Sequence, residues 1–266
     1  TCGTGGDAKC TFNISTCAAF VVAGAGLKVA KHGNKASSSK CGSADVLKLL
    51  GVNIDANTKI VEECIQKANI GFLMAPLLHS SMKHAVGPRR EIGIKTIFNI
   101  LGPLTNPARA TRQVIGVYDA KLTDIVAKVL KKLNTEHAFV VYGYDGMDEI
   151  TTTDKTKVCE LKDGEIKSYF ITHDSFGIKK AEMKDFMVNS PEESASAITA
   201  VLDGAIGPKR DIVLLNASAA IVTGGGVGNL RDGVRIAAES IDSGRAKASL
   251  GKLIELTQNI GDASKN

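Results

Sequence analysis

The sequence predicts an α/β fold: a mostly parallel central sheet flanked by helices. Three observations predict it. Residues 112–118 and 138–142 read as strands with a helix pattern, 122–133, between them, the alternation of a parallel, doubly wound sheet. The stretch Gly3-Thr4-Gly5-Gly6-Asp7 leads toward a small-residue apolar segment, as a tight turn ahead of a helix does. The 266 residues, 44% apolar and 23% charged, suffice for one large domain or for a large and a small one.

Taken in order, residues 15–25 are small and apolar, a helix able to pack closely on a sheet, and 27–30 read as a short strand. Residues 43–50 form a helix with Ser43 as its N-cap, stopped at Gly51. Ile60, Val61, Cys64, Ile65 and Ala68 recur at helical spacing within 57–68, and 70–73 is a short strand. Residues 79–86 are polar on one side, and Pro88-Arg89-Arg90 opens a helix through Ile92. Gly102-Pro103 and Asn106-Pro107 predict a stiff loop after 96–101. Residues 156–161 and 166–171, joined through Asp163-Gly164, predict a β-hairpin. Helices follow at 191–202, 211–222 and 231–241. Gly224-Gly225-Gly226 reads as a helix terminator, and Asp242-Ser243-Gly244 caps a last helix to about 258.

Composition narrows the function. A net charge of +5, from 33 basic and 28 acidic residues, is too mild for a nucleic-acid surface and suits an anionic small substrate. Aromatic residues are only 5%, with no tryptophan, so base-stacking platforms are not expected. Cysteines at 2, 10, 17, 41, 64 and 159 show no C-x-x-C spacing, which supports neither a zinc ribbon nor a disulfide framework. The default is a reducing compartment: the cytoplasm, or the plastid stroma for a plant source. The longest apolar region, 17–30, is short and contains Lys28, so no membrane span is expected; no secretory signal is visible. The chain starts without Met, and no strand precedes its glycine loop, so a fragment, a processed chain or a truncated one is expected.

The chemistry concentrates in the first forty-five residues. Glycines let several N–H groups point at one spot, and Ser15 and Thr16 open a helix whose positive end favours an anion. A second loop, Lys31-His32-Gly33-Asn34 followed by Lys35 and Ser37-Ser38-Ser39, adds ammonium and hydroxyl donors. A glycine-rich loop alone is more often a turn; two such donor-rich loops are hard to explain as turns. Neither fits the Walker or dinucleotide patterns, so a phosphorylated small molecule is held in another way. Asp148-Glu149 follows a strand end and a Gly143–Gly146 turn. Alone it is as readily a solvated turn; beside a polyphosphate site, two carboxylates suit Mg2+, which binds through few acids plus phosphate oxygens.

These segments resemble the anthranilate phosphoribosyltransferases. The likeness rests on Gly3-Thr4-Gly5-Gly6-Asp7, Thr11-x-Asn13-x-Ser15-Thr16, the stretch from Val29 to Leu47, the run Thr96 to Pro107, Gln113 to Val117, Val141-Tyr142-Gly143 and Asp148-Glu149. It covers Gly3 to about Lys252. It implies transfer of the 5-phosphoribosyl group from 5-phosphoribosyl 1-pyrophosphate to the amine of anthranilate, in tryptophan biosynthesis, with Mg2+ as cofactor. It also implies a homodimer and remnants of a small all-helical domain. The expected divisions are 1–54 (large domain), 55–106 (partly small domain and hinge) and 107–266 (large domain). The implied donor-binding residues are Gly3, Gly6, Asp7, Thr11, Asn13, Ser15, Thr16, Lys31, Asn34, Ser38, Ser39 and Ser43. The implied anthranilate-binding residues are Gly3, Asn34, Arg89, His32, His79 and Pro103, and the metal residues Ser15, Asp148 and Glu149. Lys31 and Arg89 act electrostatically and by orientation, Arg89 on the anthranilate carboxylate.

Blander readings stand beside some of these. His32 reads as a wall residue rather than a base, and His79 and His84 as surface groups as readily as acceptor contacts. Lys95 stands where the family commonly has Arg, and affects a structural ion pair. Cys10, Cys17 and Cys41 lie near the site, but the reaction needs no covalent step. Two alternative functions are a pyrimidine nucleoside phosphorylase-like enzyme and a non-catalytic ligand-binding homologue.

Overall fold

A computed structural model of the chain describes residues 1–5, 7, 9–34, 41–78, 87, 91 and 96–259. Expectations for Gly6, Ser38, Ser39, His79, His84, Arg89 and Lys95, and for the helix opening at Pro88, lie outside the described residues. In chain order come β1 (Cys2–Gly3), α1 (Ile14–Gly24), β2 (Val29–Gly33), α2 (Ser43–Leu49), α3 (Thr58–Lys67), β3 (Ile70–Met74), α4 (Ala75–Leu78) and α5 (Ile97–Leu104). Then follow β4 (Arg112–Gly116), α6 (Ala120–Lys132), β5 (His137–Gly143), β6 (Thr156–Lys162), β7 (Glu165–Ile171), α7 (Pro191–Leu202), α8 (Pro208–Thr223), α9 (Leu230–Asp242) and α10 (Arg245–Gln258).

The α/β architecture is as expected, and the central sheet is mixed. Its order is β1-β4-β5-β6-β7. The β1–β4 and β4–β5 pairings are parallel, with Gly3 opposite Gly116 and Gly116 opposite Val141. The predicted hairpin extends this sheet antiparallel to β5, since strands joined by a tight turn cannot run parallel. Asp163 and Gly164 both take positive φ, +50° and +77°, as that turn requires. β2 and β3 form a separate parallel pair.

β5 and the last three residues of β4 are buried on both faces, which explains the apolar run of β5. Ile115, Ala138 and Val140 pack with Val126 and Leu130 of α6. Their alternates Val114, Phe139 and Val141 pack with Leu215, Ala219 and Val222 of α8. α1 is apolar on all sides because it is enclosed by α8, α9 and α10.

Three local expectations are corrected. Gly102-Pro103 is not a loop: α5 runs through it, with Pro103 seventh of eight residues. So near the end the missing N–H removes one bond, and Thr105 Oγ1 donates back to Leu101 O at 2.9 Å. Ser43 is the first helical residue of α2 rather than its N-cap. Gly42 holds that place, its N–H donating to Asp45 Oδ2 at 3.2 Å. Finally, β2 begins at Val29 and includes Lys31 and His32, so these side chains leave opposite faces of a strand instead of a loop.

Candidate active site

The parallel strands β1, β4 and β5 end together at Gly3, Gly116 and Gly143, the edge where open α/β sheets bind ligands. After β5 the chain turns sharply: Gly143 N–H donates to Met147 O at 2.9 Å and Gly146 N–H to Gly143 O at 2.8 Å. This turn carries Asp148 and Glu149 back over the end of β4. It can do so because residue 116 is glycine, where a Cβ would lie 1.5 Å from the Asp148 carbonyl oxygen. A Cβ on Gly3 would lie 2.2 Å from the Asp148 carboxylate. Both glycines are therefore demanded by close approach.

The buried Asp148 carboxylate accepts the Gly5 N–H at 2.7 Å and lies within reach of the Asp7 charge. Asp7 also accepts the Lys9 N–H at 3.3 Å. The Ser15 amide, in the first turn of α1, favours the charged form of the Glu149 carboxylate; first-turn amides have no partner within their helix. Lys31, only 3% exposed, faces Glu149, and its ammonium donates to Thr1 O at 3.4 Å. The glycine turn, the start of α1, the lysine of β2 and the acid pair thus meet in one place.

Burial, and then the Asp7 charge, holds the Asp148 carboxyl above its usual range. Burial and the Asp148 charge do the same to Glu149, with Lys31 pulling it back. Burial also lifts Asp7. It lowers Lys31, opposed by Cys2 and Glu149. One lysine does not balance three acids, so a cation there would favour their charged forms. Among the described residues no three His, Cys, Asp or Glu side chains converge as a self-sufficient metal site. That donor set suits Mg2+, which completes its shell with waters and phosphate oxygens, and suits Zn2+ poorly.

A second wall comes from β2 and α5. His32 Nδ1 lies 3.3 Å from Gly102 O, beside Pro103, and Asn106 Nδ2 donates to Ala30 O at 2.9 Å. Asn34 O accepts the Ala44 N–H at 3.2 Å and the Ser43 hydroxyl at 3.5 Å. His32 is thereby tied to α5, and Asn34 to the start of α2. Three further expected donor-binding residues have these surroundings. Thr11 bridges to Met187. Asn13 Oδ1 accepts from Ser194 Oγ at 2.9 Å and Cys41 Sγ at 3.0 Å. Thr16 is fully buried, its N–H donating to Asn13 O at 3.1 Å while its hydroxyl has no hydrogen-bond partner among the described residues. All six cysteines are free, and burial raises the Cys17 and Cys41 thiols, so neither is a ready thiolate.

Sequence reasoning passed over the supports of the acid pair. Asp145 accepts from Met147 N–H at 3.0 Å and from the hydroxyls of Thr151 and Thr153. Asn216, in α8, brackets Ile150: its oxygen accepts the Ile150 N–H at 3.0 Å and its amide donates to Ile150 O at 2.8 Å. The available signal was one amide inside the apolar run Ile212-Val213-Leu214-Leu215-Asn216-Ala217.

Known proteins match the chain in sequence and in fold. A family profile described as "Glycosyl transferase family, a/b domain" matches residues 1–247. The anthranilate phosphoribosyltransferase of Acetivibrio thermocellus is 52% identical over 260 residues, covering 98% of this chain and 75% of that protein. That of Geobacter sulfurreducens is 54% identical over 255 residues, covering 96% and 73%. The crystal structure of the Thermus thermophilus enzyme superposes with a TM-score of 0.91 at 39% identity, covering 97% of this chain and 77% of that one. The Saccharomyces cerevisiae enzyme in complex with PRPP and Mg gives 0.89 at 34% identity, covering 97% and 72%. Similar in sequence over nearly its whole length and alike in fold, the chain belongs to the anthranilate phosphoribosyltransferase family.

Proposed function

We propose that the chain transfers the 5-phosphoribosyl group from 5-phosphoribosyl 1-pyrophosphate to the amine of anthranilate, giving N-(5-phosphoribosyl)anthranilate and pyrophosphate. The observation that carries this is the meeting of Asp148-Glu149 with the Gly3–Gly5 backbone, Ser15 and Lys31 at the strand ends. As pyrophosphate leaves, negative charge grows on its oxygens. The positive end of α1 and the Lys31 ammonium are fixed in advance to meet that charge. Mg2+, held by Asp148, Glu149 and Ser15 together with donor phosphates, supplies the remaining positive charge when bound. Glu149 favours the protonated form of Lys31 against its burial, and Lys31 pulls the raised Glu149 carboxyl back toward its charged form.

The acceptor belongs on the side of His32, Asn34, Gly3 and Pro103, with Arg89 and His79 from the segment before α5. A guanidinium holding the anthranilate carboxylate in bidentate fashion aims the amine at the ribose carbon. Gly6, Ser38, Ser39 and Ser43 complete the donor site, and residues 55–106 serve partly as the hinge on which a smaller helical part closes. A cytoplasmic homodimer belongs to the same reading, and sedimentation tests it. No described helix is long and apolar enough to cross a membrane.

Purified protein should release pyrophosphate from the donor only with both anthranilate and Mg2+ present. Phosphorolysis of a pyrimidine nucleoside without Mg2+ would favour the phosphorylase reading. Donor binding without turnover would favour a non-catalytic homologue.

A further inference from the structure

Asp148 and Glu149 occupy two residues between fixed points. On one side Met147 N–H is held by Asp145 at 3.0 Å. On the other, Ile150 is held through both its backbone groups by Asn216, while Thr151 N–H donates to Thr156 Oγ1 at 3.0 Å. Asn216 lies 66 residues along the chain from Ile150 and is completely buried. Its amide orientation is fixed by its partners, because the oxygen must face Ile150 N–H while the nitrogen serves both Ile150 O and Ile212 O, the latter at 2.9 Å. A buried amide in an otherwise apolar helix stretch persists only when satisfied, and every partner here is backbone. A leucine at this position would leave both Ile150 groups unpaired beside the acid pair.

We propose that Asn216 is a positioning residue for metal and pyrophosphate binding. By fixing the peptide that follows Glu149, it sets the directions of the Asp148 and Glu149 carboxylates without touching the ligand. This rests on the reading of those two acids as the metal-holding pair, and the test separates the two ideas.

The measurement is Mn2+ binding to the purified chain with pyrophosphate present, followed by electron paramagnetic resonance, beside the thermal midpoint of each protein. Asn216→Ser keeps a bond to Ile212 O, as mid-helix serines do, and releases Ile150. It should weaken Mn2+ binding by about tenfold, the low end for loss of an outer support of a metal site. Ile212→Val trims the same buried helix, lowering the midpoint without changing Mn2+ affinity. Asn216→Asp, equal in volume, cannot donate to Ile150 O and Ile212 O together and should bind between wild type and Asn216→Ser. It carries the comparison if the serine variant does not fold. Mn2+ affinity equal to wild type in the Asn216 variants, while Asp148→Asn weakens it, would overturn the positioning role alone. No effect from Asp148→Asn would remove the metal-site reading beneath it.

Discussion

Replacing Gly116 with alanine presses on the acid pair from below without removing any charge. The new Cβ would stand 1.5 Å from the Asp148 carbonyl oxygen and 2.3 Å from its carbonyl carbon. Side-chain carbons essentially never approach closer than 3.0 Å, so one partner must retreat by 3.0 − 1.5 = 1.5 Å. β4 is poorly placed to move, since Gly116 pairs with both Gly3 and Val141 and its carbonyl accepts the Thr4 N–H at 2.9 Å. The turn carrying Asp148 therefore shifts, and its carboxylate leaves the Gly5 N–H. Overpacking of this kind costs about 1–3 kcal/mol of stability. A displacement of about 1 Å from a productive geometry costs roughly a hundredfold in rate. The assay is phosphoribosyl transfer across a Mg2+ titration, with Gly164→Ala as the control. Gly164, unlike Gly116, has positive φ, but a Cβ there meets nothing, so that variant loses stability and keeps its Mg2+ dependence. Gly116→Ala with a wild-type rate and Mg2+ requirement would refute the placement of Asp148.

Other expectations test separate parts of the site. Lys31→Met should fold, since a buried ammonium gives way to a side chain of similar length, yet lose about a hundredfold in kcat/KM for the phosphoribosyl donor, typical of removing one electrostatic donor; donor kinetics unchanged within twofold would exclude Lys31 from the cradle. Arg89→Ala should raise KM for anthranilate by about tenfold or more and leave donor binding, measured by calorimetry, unaltered. The folded protein holds protons on Asp148 and Glu149 more tightly than the unfolded chain does, so their contribution to stability falls as pH rises through the elevated folded values. Added Mg2+ and pyrophosphate should therefore raise Tm more at about pH 8 than at about pH 6; an equal shift would contradict the linkage. Glu160 runs the other way. Its hydrogen bond from His137, chiefly, holds its carboxyl below the ordinary 4.5, so its stabilisation is present above that value and lost as pH falls through the depressed one. Glu160→Gln should flatten that acid limb in thermal melts.

Much of this was legible because it is local. Period-2 and period-3.6 apolar patterns located β4, α6, β5, the hairpin and α7, and the Asp163-Gly164 pair gave the turn. The acid pair, the glycine turn and Lys31 stood out because charge and glycine in small clusters have few structural uses. Contacts between distant segments were not legible. Nothing near Asn13 announces that Ser194, 181 residues on, takes its amide oxygen, and nothing near Glu149 points to Asn216. Pro103 misled for a related reason: proline argues against a helix interior, and only tertiary placement lets α5 close its last turn around it. Gly116 looked like an ordinary strand residue until the turn from β5 was seen lying across it.

The most direct measurement is a crystal structure with 5-phosphoribosyl 1-pyrophosphate and Mn2+, the metal located by its anomalous scattering. The metal should appear against the Asp148 and Glu149 carboxylates, with the pyrophosphate spanning the Gly3–Gly5 backbone, the start of α1 and the Lys31 ammonium. A metal and diphosphate bound elsewhere, for example in the polar cleft lined by Arg112, Glu136, His137 and Lys162 at the opposite end of the strands, would contradict it.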